Sequence, residues 1–211
     1  MSEPGIPEFA SQQERWNHRY SAAGHLFGTE PNAWLREHAG FWSSGARVLS
    51  VADGDGRNSV WLASQGLMVD AFDFSDAGVA KARKLAEARG VSVNFSVSDC
   101  DSYKWPKGEL DGVAAIFIQF ADPEMRTRMF ASMAGSLKPG GVLVLQGYGL
   151  DQLKYRTGGP SEASHLYTEE MLRGAFTSLD ILRLESHVAE LTEGQAHSGP
   201  SALVSLVARR P

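Results

Sequence analysis

Apolar and polar positions along this chain alternate between two periods, and the switches mark out its elements. The runs "ARVLSVA" (46–52), "LMVDAFDF" (67–74), "LDGVAAIFIQF" (110–120) and "VLVLQGY" (142–148) are short and apolar, and predict buried strands. "VSVNFSVSD" (91–99) alternates and predicts a further strand, third in chain order. Helical patterns lie between them. "RNSVWLASQG" follows the first run and stops at Gly66. Ser75 or Asp76 caps a helix over 77–89 that stops at Gly90. In "ADPEMRTRMFASMAGSLKPGG", Asp122 is the cap, Pro123 fills the first turn and "KPGG" is the stop. Met125, Met129, Phe130, Met133 and Leu137 share one face of that helix and predict packing on the sheet. Thr168 caps "TEEMLRGAF", and "DILRLESHVAEL" and "SALVSLVARR", joined by "TEGQAHSGP", predict an antiparallel pair.

Five strand–helix cycles closed by a hairpin predict an α/β fold. Its sheet is seven-stranded and mostly parallel, with helices on both faces and a C-terminal antiparallel hairpin. Residues 1–40 read as a loose tail and a helical cap, broken at Gly28 and Pro31, that carries Trp16, Tyr20, Phe27 and Trp34. Residues 41–211 hold the sheet, and 211 residues fit one domain overall. Ligands of such sheets bind beyond the carboxyl ends of the strands, where the turn after the first strand, Asp73, Asp99 and Gln119 converge.

Composition narrows the possibilities. A net charge of −5 leaves no footprint for nucleic acid. The single cysteine, Cys100, forbids an intrachain disulfide and suits a reducing, cytoplasmic location. "MSEPGIPEFA" does not read as a signal peptide, and no run reaches the roughly 20 apolar residues that span a bilayer, so no membrane association is expected. The histidines and the one cysteine form no metal-ligand pattern.

The turn "SVADGDGRN" (50–58) carries the chemistry. Gly54-x-Gly56-x-x-Ser59 resembles a dinucleotide fingerprint that lacks its third glycine, and Asp73 sits where a ribose-binding acid belongs. Charge speaks against a pyrophosphate. Two unit charges about 4 Å apart interact by roughly 4 kcal/mol at an effective dielectric near 20, and both Asp53 and Asp55 lie in the turn as exposed acids. S-adenosylmethionine (SAM) carries an ammonium and a sulfonium against one carboxylate. The acids suit its ammonium, and backbone N–H groups at the helix start suit its carboxylate.

On these residues the chain is identified as resembling the class I SAM-dependent methyltransferases, with their Rossmann-like fold. It is most similar to the small bacterial tellurite-resistance and thiopurine methyltransferase-like group. "WNHRY", "FGTEPNAWL", "GDGRNSVWLASQG", "VDAFDFSDAGVAKAR", "VSDCDSY", "LKPGGVLVLQGY", "KYRTGGP" and "EGQAHSGPSALVSLVARR" carry the likeness, over about residues 15 to 210. The resemblance implies SAM as cofactor and S-adenosylhomocysteine as product. It assigns the methionine part to Ala52, Asp53, Gly54 and Gly56, with Asn58 also at the cofactor. It assigns the ribose to Asp73, with Phe74 beside the adenine and Ser75 also at the cofactor, and the adenine edge to Asp99 and Cys100. Phe117, Ile118 and Gln119 form the floor under the sulfonium, and Trp16, Arg19 and Tyr20 the cover. The family usually reads D-x-G-x-G after the first strand. Here Ser50 replaces an acid and Ala52 a glycine, and Asp53 supplies an acid three residues later.

Methyl transfer is an in-line displacement that needs positioning and exclusion of water. A soft acceptor already deprotonated (thiolate, selenide or telluride) needs little help, whereas an oxygen or nitrogen acceptor calls for a general base. Gln119, His165 and His197 are the candidates for a catalytic role, and Arg57 and Arg156 for attracting an anionic acceptor. The leading expectation is an enzyme acting on a small-molecule acceptor, a soft thiol or chalcogen nucleophile or a hydrophobic one, as a monomer or homodimer. The alternatives are a SAM- or S-adenosylhomocysteine-binding sensor or partner subunit without catalysis, a nicotinamide oxidoreductase, and a methyltransferase for a macromolecule.

Overall fold

The computed structural model describes residues 10–155, 157–194 and 197–211. The tail over 1–9, Arg156 and the side chain of His197 lie outside the described residues. The strands are β1 (Arg47–Val51), β2 (Met68–Asp73), β3 (Asn94–Val97), β4 (Leu110–Ile116), β5 (Leu137–Tyr148), β6 (Asp180–Glu193) and β7 (His197–Arg209). The helices are α1 (Gln12–Ser21), α2 (Ala33–His38), α3 (Arg57–Ser64), α4 (Asp76–Arg89), α5 (Pro123–Ser136), α6 (Gln152–Tyr155) and α7 (Glu169–Ala175). None of these helices is long and apolar enough to cross a membrane.

One sheet has the order β3-β2-β1-β4-β5-β7-β6. β1 to β5 pair in parallel, and β7 runs antiparallel between β5 and β6. The chain leaves β1 toward β2 and β3 on one side and resumes at β4 on the other. A crevice therefore opens between the carboxyl ends of β1 and β4. Alternate side chains of the central strands feed two layers. Leu49, Val51, Val113 and Ala115 meet Met129, Phe130 and Met133 of α5 and Leu172 of α7. Val48, Ala114 and Ile116 meet Trp34 and Leu35 of α2 and Leu62 of α3. Both faces are covered, which is why these strands read as nearly unbroken apolar runs.

The caps fall where local chemistry puts them. Ser75 accepts from the Gly78 N–H, Asp122 from Met125 and Thr168 from Met171. Several boundaries differ from the sequence expectation. The fourth run stops at Ile116 because Phe117 turns to φ 54°. α5 ends at Ser136; Leu137 is already extended and pairs with Leu110, so "KPGG" lies inside β5, bent at Gly140 (φ 82°). The alternating third run pairs only over Asn94–Val97, at the sheet's edge. The hairpin strands extend to Glu193 and from His197. Pro200 is tolerated there because β5 stops pairing at Leu203, which leaves that stretch of β7 with a neighbour on one side only.

Candidate active site

A cavity of about 710 Å³ opens at the carboxyl ends of β1, β2, β4 and β5. The strand order lays out its two halves. Ala52, Asp53, Asp73 and Phe74 lie at the ends of β1 and β2, whereas Phe117, Gln119 and Tyr148 lie at the ends of β4 and β5. Trp16, Arg19 and Tyr20 of α1 cover the first half, and Gly158–Glu162 with His165 border the second.

The acids build the turn after β1. Asp53 Oδ1 accepts from Ser50 Oγ at 2.7 Å and from Ser59 N at 3.2 Å, and its Oδ2 accepts from the Ser59 hydroxyl. Ser50, at the position where the resembled family has an acid, thus orients the acid three residues on. Asp53 also occupies the N-terminus of α3, the place that receives phosphate in dinucleotide folds. Neighbouring N–H groups are taken as well: Asp53 N donates to Phe72 O at 3.0 Å, Gly54 N to Asp73 Oδ2 at 2.9 Å and Gly56 N to Asp53 O at 3.4 Å. These partners occupy the Asp53, Gly54, Gly56 and Ser59 N–H groups from within the protein. Asp55 corrects the expectation of an exposed acid. It lines the cavity but is 1% exposed, and its Oδ2 meets His25 Nδ1 at 3.2 Å and accepts from the Leu26 N–H at 3.1 Å.

Burial raises the Asp53 carboxyl above its ordinary range, opposed by the Ser59 and Ser50 hydrogen bonds. Burial likewise pushes Asp73 up to about 6, against the N–H groups of Ser75 and Gly54 that each donate to one of its oxygens. The Tyr20 hydroxyl lies over Gly54 (φ 64°), where any side chain would collide with it. Burial, then Asp73, push Tyr20 well above its ordinary value, so it stays a donor. Trp16 stacks on Tyr20 at 5.5 Å, and the Arg19 guanidinium sits 4.3 Å over the Trp16 ring. Burial lowers the Arg19 pKa, and no carboxylate pairs with Arg15 or Arg19 among the described residues.

Ala52 and Phe117, both on the cavity wall, hold φ of 47° and 54°. A side chain in this region costs about 1–2 kcal/mol, which explains the glycine the family usually has at the first position. Glycine's freer unfolded chain offsets part of that, about 0.4–1 kcal/mol. Ala52→Gly is therefore expected to stabilise the fold by about 0.5–1 kcal/mol, read as a shift in urea midpoint at constant slope.

Gln119 is not free for catalysis. Its Nε2 donates to Tyr148 O at 2.8 Å and His165 O at 3.0 Å, and its Oε1 accepts from Tyr148 N. It staples the end of β4 to β5 and to the loop beyond. Six other residues expected at the cofactor are not brought into the cavity wall. Gly54 lies under Tyr20, and Gly56 (φ 93°) abuts Ala82 of α4. Ser75 caps α4 and donates to Asn17 Oδ1 at 2.5 Å. Asp99 is exposed and accepts from Ser102 N and Oγ at 2.7 and 3.0 Å. Cys100 is buried in the core with Phe72, and burial pushes its thiol up to about 12, which makes it inert. Ile118 packs into the same core. Asn58 lines the cavity, and its Oδ1 accepts from the Asn32 N–H. Sequence reasoning missed Asn17, which docks α1 on the start of α4, and the cavity residues Phe120 and Tyr148. Tyr148 ends an apolar run, and that was its only signal.

Residues 48–141 match the methyltransferase domain family. The chain is 27% identical over 210 residues to the tRNA N(3)-cytidine methyltransferase METTL2 of Danio rerio, covering 87% of this chain and 59% of that protein. It is 35% identical over 103 residues to the demethylmenaquinone methyltransferase of Thermus thermophilus, covering 47% of this chain and 46% of that protein. The chain thus spans only part of the length of both relatives. Its fold is similar to that of TehB from Haemophilus influenzae, with a TM-score of 0.71 at 16% identity, covering 94% of this chain and 67% of that one. Residues 48–141 thus match a methyltransferase domain, and the chain shares the overall fold of solved SAM-dependent methyltransferases.

Proposed function

We propose that this protein transfers the methyl group of SAM to a small-molecule acceptor held in the same cavity, releasing S-adenosylhomocysteine. The observation that carries the reading is Asp53 at the N-terminus of α3. A carboxylate already fills the anion position, so the turn suits a cationic ligand end and opposes a pyrophosphate. SAM supplies a methyl carbon activated by its sulfonium.

The residues present fit that cofactor. Each Asp73 oxygen accepts one backbone N–H and keeps a lone-pair site for a ribose hydroxyl. Asp53 faces the ammonium, and Phe74 flanks the adenine. Arg19, which pairs with no carboxylate among the described residues, is placed to take the methionine carboxylate. Trp16 and Tyr20 cover the cofactor and exclude water. The volume falls in the range of about 300–1,000 Å³ usual for small-ligand sites, and the net charge of −5 disfavours a nucleic-acid acceptor.

Calorimetric titration with SAM, S-adenosylhomocysteine and NAD tests the reading. Binding of the first two and not of NAD is expected; NAD binding without SAM binding would overturn it. Formation of S-adenosylhomocysteine across a panel of phenols, thiols, amines and selenite separates an enzyme from a binding subunit.

A further inference from the structure

We propose that His165 is the general base of this site, and that the acceptor presents an O–H, N–H or S–H group to the sulfonium rather than arriving as a chalcogen oxyanion. The inference rests on the methyl-transfer reading above and narrows its acceptor class.

The argument begins with a tautomer. His165 Nδ1 lies 3.0 Å from the Gln119 carbonyl oxygen. A carbonyl only accepts, so Nδ1 carries the proton and the neutral ring has its lone pair at Nε2. No described residue bonds Nε2, and the half-buried ring forms part of the cavity wall. One ring nitrogen is fixed by the Gln119 carbonyl, and the ring that carries the other belongs to the cavity wall.

The ring's position is fixed as well. The Gln119 side chain donates to the His165 carbonyl, while the Gln119 main chain receives the His165 ring. The same carboxamide holds Tyr148 through both its N–H and its carbonyl. One residue at the end of β4 therefore sets the backbone and the ring of His165 at once, beside the switch point where the sulfonium is expected. Phe117 lies against Tyr148 at 4.8 Å and Phe120 against Phe74 at 6.2 Å, so the wall beside the base is aromatic and favours a flat, apolar acceptor.

In the step itself the C–S bond breaks with its electron pair passing to sulfur. The acceptor heteroatom bonds the methyl carbon, and its proton moves to His165 Nε2. The imidazolium then loses that proton to water at the exposed 161–164 loop. The charged and titratable groups around the ring are Glu162 on its own loop, Arg126 of α5, which donates to the Ser164 carbonyl, Tyr148 of β5, and Asp73 across the cavity.

The test compares wild type with His165→Gln on phenols of graded acidity, a thiol, a primary amine and selenite, each with SAM. In the variant, kcat is expected to fall by roughly 10²–10⁴-fold, the usual contribution of a positioned base. The loss should grow with the acceptor's pKa, and the acid limb of the pH profile should disappear. SAM affinity should be unchanged by calorimetry, which shows that the variant is folded. Nitrogen-15 spectra of the ring in the S-adenosylhomocysteine complex should place the proton on Nδ1. The proposal is overturned by a variant as active as wild type, by a proton on Nε2, by selenite as the sole acceptor, or by SAM-bound protein inert toward every protonated acceptor. Failure to bind SAM at all would instead remove the function proposed above.

Discussion

Asp73→Ala is expected to weaken SAM binding by about 1.5–3 kcal/mol, roughly 10- to 150-fold, in calorimetric titration above neutral pH. Asp73 is 4% exposed and ends β2 with both oxygens held by backbone N–H groups. Truncation removes the ribose acceptor and also leaves the N–H groups of Gly54 and Ser75 without it. Its carboxyl sits at about 6 against an ordinary 3.8, mainly through burial. A ligand that needs the carboxylate therefore binds more tightly as pH rises through that value.

Stability runs the other way. A carboxyl raised in the fold contributes stability that is complete below its unfolded value and is lost as pH rises through the folded one. About two pKa units correspond to about 3 kcal/mol as an upper figure. The unliganded protein is thus expected to lose stability between about pH 4 and 6 from this group. The loss should be absent from Asp73→Asn, and the difference between the two urea profiles isolates it. Parallel profiles would show that Asp73 is not held in this dry setting.

The second large effect is structural. Arg57→Met is expected to destabilise the fold by about 3–5 kcal/mol, the cost of breaking a buried ion pair from one side. Arg57 is 5% exposed, and its Nη2 donates to Glu193 Oε2 at 2.8 Å. Glu193 Oε1 accepts from Asn32 Nδ2 at 3.0 Å, and the same amide donates to Gln146 Oε1 at 2.8 Å. Gln146 in turn donates to Ser205 Oγ at 2.8 Å. One network therefore joins the start of α3, the cap before α2, the hairpin tip, β5 and β7. Beside it, Gly194 packs against Leu26–Gly28, where a Cβ would lie 2.5 Å from Leu26 O and 2.6 Å from Gly28 N. Loosening the tip should also loosen Phe27 on the cavity wall and lower SAM affinity. Replacing Arg57 and Glu193 together by apolar residues should recover much of the stability, because no charge is left buried alone. A single variant within about 0.5 kcal/mol of wild type would show that the network contributes little.

Much of this site was readable before any fold was known. Apolar runs and caps are properties of contiguous residues, so the strands, the Ser75, Asp122 and Thr168 caps and the position of Asp73 at a strand end follow from local chemistry alone. The acidic character of the turn at 52–56, on which the proposed cationic ligand rests, is likewise written in adjacent residues. Partners distant in sequence were decided only by the tertiary structure. The chain by itself does not say that Asp53 turns inward to cap α3 while Asp55 turns to His25, since both are acids two residues apart in one loop. Nor does it say that Asp99 and Cys100 stay out of the cavity, or that Gln119 is consumed as a staple between β4 and β5. The pairing of Arg57 with Glu193, 136 positions away, has no local signature. The physical reason is common to all of these. Backbone conformation is selected by neighbours within a turn or two, whereas the direction and charge state of a polar side chain are set by what the completed sheet brings against it.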